Sequence, residues 1–285
     1  MNISSILILI AAMLSIQSGA ALAKQLFPLV GPNGVTLLRT SLAALILLAI
    51  WRPWKAVWTK QQLQRVALYG ASLGFMNLLF YLSLQYIPLG IAVGLEFTGP
   101  LAVALLASRR VLDFLWALLA GVGIVLILPL TEASAGIDLK GALLALAAGG
   151  FWALYIVFGK KAGEGTHGGQ SATMGMVFAA LVSFPFGAID AGTKVLDMTI
   201  LPLGLAVAVL SSAIPYSLEM ISLKRIPIKT FGILMSLEPV LAALAGAVFL
   251  KEYLSVFQMA AIACIVIASL GSTLTAKEVV VTTDI

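Results

Sequence analysis

Ten apolar segments, each long enough to cross a lipid bilayer, dominate the sequence. A helix needs about 20 residues to cross roughly 30 Å of hydrocarbon. The segments are 4–23, 33–51, 65–84, 88–108, 112–130, 141–159, 171–189, 199–219, 229–249 and 255–273. Backbone groups in lipid must satisfy their own hydrogen bonds, and the short alternating segments of a membrane barrel are missing from the sequence. The sequence therefore predicts an all-α integral membrane protein with ten transmembrane helices.

Charge is too scarce for a water-soluble domain. Of the 285 residues, 10% are charged and 61% are hydrophobic, whereas soluble domains have roughly 25% and 45–50%. The net charge of +5 does not indicate nucleic-acid binding, because positive residues also gather in the cytoplasmic loops of membrane proteins. The first segment ends in Ala-Leu-Ala, as signal peptides do, but no Lys or Arg precedes it. We therefore interpret it as a retained first span.

The distribution of Lys and Arg predicts the orientation of the spans. If the N-terminus lies in the cytoplasm, twelve of these residues fall in inner loops and four in outer loops. The four outer residues are Lys24, Lys140, Lys194 and Lys251. Cytoplasmic loops carry the excess of positive residues, so we expect both termini to be cytoplasmic.

An internal repeat divides the chain into two halves. The segment YLSLQYIPLGIAVGLEFTGPLAVAL (81–105) aligns without gaps with MISLKRIPIKTFGILMSLEPVLAAL (220–244). In this alignment Pro100 matches Pro239. Self-similarity of this kind indicates a duplicated structural unit.

The two halves are expected to lie antiparallel in the membrane. Residues 11–24 also align with residues 147–160, so that each half contains five spans. Five is an odd number, so the second half must enter the bilayer upside down, and the charge bias of the matching loops reverses accordingly. We expect inverted repeats at 1–135 and 136–285. Such repeats are typical of transporters with a site near the midplane.

The sequence resembles the drug/metabolite transporter superfamily, specifically its ten-helix branch of two EamA domains. The stretches that carry the resemblance are LFPLVG, YLSLQYIPLGIAVGLEFTGPLAVAL, ILPLGLAVAVLSSAIPYSLEMISLKRIP and TFGILMSLEP. The resemblance covers nearly the whole chain. It implies a bacterial inner-membrane exporter of small amino acids such as threonine and homoserine, driven by proton antiport and sufficient as a monomer. Its expected partners are the substrate, protons and membrane lipid, with no cofactor, metal or nucleic acid.

Two acidic residues lie deep within the predicted spans. A charge at mid-bilayer costs about 2.5–3.5 kcal/mol, so such residues usually face a cavity or a partner. Glu96 lies near the centre of span four, and Glu238 near the centre of span nine. Proline has no N–H and clashes with the carbonyl four residues back, which belongs to Glu96 for Pro100 and to Met235 for Pro239. Each proline is therefore expected to leave a bare carbonyl beside an acidic side chain.

We expect Glu96 to bind the ammonium group of a substrate or a coupling proton, exchanging one for the other. Glu238 is expected to share or replace this role, and the alternative for each is a neutral structural carboxyl at a kink. Thr98 and Gly99 add a hydroxyl and flexibility beside the break. Arg39 could hold a substrate carboxylate, although its predicted place in the outer third of span two favours snorkelling or a structural pair.

Further polar and aromatic residues within the spans are candidates for lining a cavity. They are Gln17, Asn77, Tyr81, Trp152, Tyr155 and Tyr216. The resemblance places the cavity among spans one, three, four, six, eight and nine. Aromatic residues at helical spacing pack against neighbours more often than they contact ligands, so each is weak evidence alone.

Other functions stay open from the sequence alone. The same superfamily offers export of other metabolites or drugs, and an intramembrane enzyme or a scaffold is a more distant alternative. The segment GASLG (70–74) fits the G-x-S-x-G pattern of serine hydrolases, but that motif requires a strand–turn–helix context. The single histidine, His167, lies in a polar loop. We therefore expect Ser72 to pack within a helix and the chain not to be an enzyme.

Overall fold

A computed structural model describes residues 3–107, 111–127, 137–163, 168–215, 218, 231 and 234–275. These residues form helices and their connections, without a strand. The α-helices of this part are α1 (Ile3–Gln25), α2 (Phe27–Trp51), α3 (Lys60–Ser83), α4 (Leu89–Glu96), α5 (Thr98–Ala107), α6 (Val111–Ile127), α7 (Leu139–Gly163), α8 (Gly168–Ala191), α9 (Leu201–Ala208), α10 (Glu238–Ala245) and α11 (Val256–Thr275). Two π-helical turns, Val209–Ala213 and Gly246–Leu250, extend α9 and α10. Short 3-10 helices lie at Pro53–Lys55 and Gly192–Leu196.

The helices confirm an all-α, multi-pass membrane protein over the described residues. Seven helical segments there are long and apolar enough to cross a membrane, with α4 and α5 together forming one of them. Shorter apolar segments at Phe114–Ile127, Leu201–Ala213 and Glu238–Leu250 coincide with predicted spans five, eight and nine. The arrangement of ten spans in two inverted repeats stays a prediction.

The outer surface of the bundle is apolar. Large side chains such as Leu45, Leu106 and Phe114 are more than half exposed, while the interior contains buried polar residues such as Gln17 and Asn77. A soluble protein rarely exposes so large an apolar surface. The outer surface of the bundle is therefore suited to contact with lipid.

The helices of the first half pack mainly against helices of the second half. The principal pairs are α3 with α7, α2 with α8, α6 with α11, α3 with α8, and α4 with α10. Small residues permit close approach, because a Cβ at Gly90 would lie 2.7 Å from the Cα of Ala243. Close packing of small residues is the usual means of helix association in membranes.

The predicted helix break beside Pro100 is present and is sealed by α7. Helix α4 ends at Glu96, and α5 begins two residues later. A Cβ at Gly149 of α7 would lie 2.7 Å from the carbonyl oxygen of Glu96, and one at Gly99 would overlap the carbonyl oxygen of Gly149. The carbonyl that proline leaves without a helical donor thus lies against the α7 backbone. This differs from the expectation that it would stand open to a ligand.

Several connections with polar contacts gather at one end of the bundle. Lys24 donates to Glu252 at 2.6 Å and to the carbonyl of Ile87 at 3.1 Å. Nearby, Lys140 donates to the hydroxyl of Tyr86 at 2.8 Å. These contacts bring four of the predicted outer connections together, namely those that contain Lys24, Tyr86, Lys140 and Glu252. The side of the membrane that this end faces stays a prediction.

Replacing Gly149 by alanine is expected to destabilise the bundle, whereas replacing Gly150 is not. The added methyl group at Gly149 meets the backbone of Glu96, and overpacking of this kind costs about 1–3 kcal/mol. A Cβ at Gly150 meets nothing within 4 Å, and alanine favours a helix by roughly 0.5–1 kcal/mol over glycine. The melting temperatures of the two purified variants in detergent measure this contrast. Equal melting temperatures would contradict the close contact at Gly149.

Candidate functional site

A cavity of about 170 Å³ lies inside the bundle, where α1, α2, α3, α4 and α7 meet residues near the ends of α9 and α10. Eight of the residues singled out from the sequence line it. They are Gln17, Arg39, Asn77, Tyr81, Glu96, Trp152, Tyr155 and Glu238. The spans predicted to surround a cavity are thus represented on its wall, together with span two, which supplies Arg39.

Arg39 is buried and donates four hydrogen bonds, to α3 and to the π-helical turn after α9. Its Nη1 donates to Asn77 Oδ1 and, at 3.4 Å, to the hydroxyl of Tyr81. Its Nη2 donates to the carbonyl of Ser211 at 2.9 Å, and its Nε donates to Ser212 Oγ at 3.3 Å. A buried charge is costly unless it is hydrogen-bonded, and these contacts meet that requirement.

Of the two alternatives to substrate binding at Arg39, snorkelling does not agree with the structure. Arg39 lies eight residues after the kink at Gly31 in α2. Its side chain lines the cavity and is buried, so it does not snorkel to an interface. The contacts within the bundle hold the guanidinium at the depth of the cavity.

The π-helical turn Val209–Ala213 supplies backbone acceptors to side chains of α1 and α2. Such turns interrupt the helical hydrogen-bond ladder and often occur at functional sites. The carbonyl of Ser211 accepts from Arg39, and the carbonyl of Leu210 accepts from Ser15 Oγ at 2.7 Å. The irregular turn therefore joins the end of α9 to α1 and α2.

Two carboxyl groups share the cavity with this guanidinium. Glu96 is the last residue of α4, Glu238 is the first residue of α10, and both are buried. The two carboxyls interact electrostatically with each other, and Glu96 also interacts with Arg39. Gln17 Nε2 donates to Glu238 Oε1 at 3.3 Å. The structure thus brings together both predicted acids, Arg39 and Gln17.

Aromatic rings form another part of the wall and also pack against neighbours, as their spacing suggested. Trp152 meets the ring of Phe97 edge to face at 5.6 Å between centroids. Tyr155 stacks on Tyr69 at 4.9 Å, and their hydroxyl oxygens lie 3.4 Å apart. These contacts fix the rings on α7 beside the α4–α5 break.

Some predicted site residues lie away from the cavity lining. The hydroxyl of Thr98 donates to the carbonyl three residues earlier in its own helix at 2.6 Å. Gly99 packs against α7, while Pro100 and Pro239 shape the starts of α5 and α10. Tyr216 lies outside the described residues. The predicted role of Thr98 as a ligand-facing hydroxyl is therefore not supported by its position.

Sequence reasoning missed the apolar part of the wall and one serine. The missed residues are Ile16, Ala20, Met76, Phe80, Val93, Ser211, Phe231 and Met235. Helical spacing could have found several of them, since Ile16 and Ala20 neighbour Gln17 on one face of α1. Ser211 did have a signal, because Pro215 lies four residues later and has no N–H to donate to the Ser211 carbonyl.

The arrangement is suited to binding a small charged solute and carries no sign of hydrolytic chemistry. Among the described residues, no group of three His, Cys, Asp or Glu side chains could hold a metal ion. Ser72, the serine of the hydrolase-like pattern, donates to the carbonyl of Leu68 at 2.9 Å. The cavity offers carboxyl acceptors and a guanidinium within one small space.

Comparison with known proteins agrees with this geometry. The model of the EamA-like transporter family matches residues 139–274. The threonine/homoserine exporter RhtA of Salmonella typhimurium strain LT2 is 56% identical over 273 residues, which cover 96% of this chain and 92% of that protein. The chain belongs to the EamA-like transporter family. The threonine/homoserine exporter RhtA of Escherichia coli strain K12 is 54% identical over the same shares of both chains.

A solved structure shows that the fold is a known one. This crystal structure of a protein matches with a TM-score of 0.60 over 98% of this chain and 99% of that chain. At 21% sequence identity, the likeness concerns the fold alone. Since members of the EamA-like family are transporters, the chain is not an enzyme.

Removing the acceptor at Asn77 is expected to destabilise the Arg39 contacts. In Asn77→Leu a donor of the buried guanidinium loses its partner, which costs about 1–3 kcal/mol. Asn77→Asp keeps an oxygen at the same place and should stay close to the wild-type melting temperature. Thermal unfolding of both variants in detergent measures the difference. A leucine variant as stable as the aspartate variant would contradict the importance of this hydrogen bond.

Proposed function

We propose that this chain exports threonine, homoserine and other small amino acids across the bacterial inner membrane in exchange for protons. One observation carries the proposal, namely the buried cavity that combines Glu96, Glu238 and Arg39 in a membrane protein of this family. The relatives at 54–56% identity are threonine/homoserine exporters. Their similarity extends over nearly the whole chain.

The charges of the cavity are complementary to an amino-acid zwitterion. An ammonium group needs acceptors, which Glu96 and Glu238 provide, and a carboxylate matches the planar guanidinium of Arg39. The guanidinium already has several hydrogen bonds within the protein, so a substrate carboxylate would replace or share the weaker ones. The contact to Tyr81 at 3.4 Å is a long hydrogen bond and is the first that we expect to yield.

The size of the cavity favours amino acids over drugs. Sites for drug-sized ligands occupy about 300–1,000 Å³, whereas this cavity has about 170 Å³. Apolar side chains such as Val93 and Met235 complete the wall. A short aliphatic side chain fits this surface, and a large aromatic compound does not.

Charge balance within the cavity supports coupling to protons. If both carboxyls are ionised, Arg39 compensates only one of them, and a negative charge remains buried. Such a charge is costly in a medium of low polarity. Either the ammonium group of a substrate or a proton removes the cost. Competition between the two for Glu96 is the physical basis that we propose for exchange.

The packing of the helices supports the proposed inverted repeats. In the proposed repeat, α1, α2, α3, α4 and α6 of the first half correspond to α7, α8, α9, α10 and α11 of the second half. Exchanging the halves therefore turns the pair α3–α7 into α9–α1, the pair α3–α8 into α9–α2, and the pair α4–α7 into α10–α1. All of these pairs are in contact. The pairs α2–α8, α4–α10 and α6–α11 convert into themselves. A symmetry of this kind allows one fold to open alternately to either side of a central site.

Contacts at one end of the bundle are consistent with a closed state of that end. Lys24 donates to Glu252 and to the carbonyl of Ile87, and Glu252 Oε2 accepts from the backbone N–H of Leu89 at 2.8 Å. The ion pair is partly buried. We propose that this end faces the outside, that both termini are cytoplasmic, and that the two repeats suffice as a monomer.

Purified protein in inside-out vesicles is expected to accumulate radiolabelled threonine when the lumen is acidic. If one proton exchanges for one neutral substrate, a pH difference of about one unit supports roughly tenfold accumulation, since each factor of ten corresponds to about 1.4 kcal/mol. Collapse of the gradient with an ionophore should release the threonine. Uptake without any response to the gradient would exclude proton exchange, and absence of uptake would exclude the proposed transport.

The variant Glu96→Gln is the specific control for coupling. It keeps the shape of the side chain but removes its ability to exchange a proton. We expect loss of gradient-driven uptake, while the protein still inserts in the membrane at the wild-type amount. Gradient-driven uptake at the wild-type rate by this variant would exclude the central role of Glu96.

Removal of Lys24 is expected to open the end of the bundle that its ion pair closes. In a Cys264→Ser background, Ala20→Cys places a thiol on the wall of the cavity. Adding Lys24→Met should raise its labelling by a membrane-impermeant maleimide about tenfold, which corresponds to about 1.4 kcal/mol. The matched control is Lys251→Met, which removes an exposed lysine next to Glu252. Equal labelling in the two variants would contradict a closing role for the ion pair.

A further inference from the structure

The side-chain oxygen of Gln17 is a buried hydrogen-bond acceptor to which no described residue donates. Its side chain lines the cavity and is 2% exposed. Its Nε2 donates to Glu238 Oε1, but its Oε1 is buried without a hydrogen-bond partner. Leaving such an acceptor unsatisfied costs about 1–3 kcal/mol. A glutamine whose role was only to stabilise the protein would not need an unsatisfied buried oxygen.

The orientation of the Gln17 amide follows from its neighbour. An ionised carboxylate only accepts hydrogen bonds, so Glu238 requires the NH₂ side of the amide. The oxygen must then point elsewhere. Gln17 lies on the cavity wall, but its oxygen is buried in this conformation. A donor on a molecule inside the cavity therefore reaches the oxygen once the Gln17 side chain or its neighbours shift.

We infer that Gln17 selects hydroxyl-bearing amino acids by accepting a hydrogen bond from the hydroxyl group of the substrate side chain. This inference rests on the proposed function, because it assumes that an amino acid occupies the cavity with its ammonium group near the two carboxyls. In threonine the amine and the hydroxyl are on adjacent carbons, so an ammonium group at Glu238 brings the hydroxyl close to Gln17. Homoserine carries its hydroxyl on a flexible chain that reaches the same region.

Both substrates of the relatives share the hydroxyl group and differ in where it is attached. A site that matched only the shape of an aliphatic chain would not distinguish threonine from valine, which has a methyl group in place of the hydroxyl. A site built to bond a substrate hydroxyl rejects the analogue without it, because its own polar group is then left unpaired. The unsatisfied oxygen of Gln17 is such a polar group.

Competition binding to the full-length purified protein tests the inference. Radiolabelled threonine is displaced by unlabelled threonine, valine, homoserine and 2-aminobutyrate, of which the last is homoserine with a hydrogen in place of its hydroxyl group. For the wild type we expect each hydroxyl compound to compete at least about tenfold better than its partner. In Gln17→Met, a variant of similar size without an acceptor, we expect this ratio to fall to about threefold or less. The control Leu14→Val changes an exposed residue of the same helix that does not line the cavity, and it should leave the ratio unchanged.

Two results would overturn the inference while leaving the proposed transport intact. The first is a wild-type protein that binds valine as well as threonine, which needs no variant to observe. The second is a Gln17→Met protein that loses affinity for all four ligands equally, which would assign the oxygen to the ammonium group. Binding of no amino acid by the wild type would instead overturn the proposed function and this inference together.

Discussion

A guanidinium group buried within a membrane-spanning bundle must find all of its hydrogen bonds inside the protein, and this requirement organises the centre of the molecule. Arg39 obtains them from α3 through Asn77 and Tyr81, and from the π-helical turn after α9 through Ser211 and Ser212. The carbonyl of Ser211 is free for this contact because Pro215, four residues later, has no N–H to donate to it. The arginine in turn holds three segments together around the cavity.

The two buried carboxyls lie where helices are interrupted. Glu96 ends α4 and Glu238 begins α10. At these points the chain can change direction, and side chains from both halves of the protein reach one small space. Close backbone contact between Gly149 and the α4–α5 break keeps that space narrow. Polar function and tight packing are thus achieved by the same few residues.

The sequence identified the acidic residues of the cavity, but it did not predict the direction of every neighbouring side chain. Buried acids stand out in an apolar run, and this signal placed Glu96 and Glu238 in the cavity correctly. Thr98 has the same kind of signal, but its hydroxyl bonds within its own helix, and one residue of shift changes the direction of a side chain by about 100°. The contacts of Arg39 could not be predicted, because its partners Asn77 and Ser212 come from distant parts of the chain. The free carbonyl of Ser211 had a signal in Pro215, which lies four residues later and has no N–H.

Helix α4 links the two places where charges meet. The backbone N–H of Leu89, its first residue, bonds to Glu252 at the end of the bundle, while Glu96, its last residue, faces the cavity. Eight residues of helix span about 12 Å. In the proposed exchange, a change of charge at Glu96 acts on one end of this helix, and the contacts of Glu252 lie at its other end.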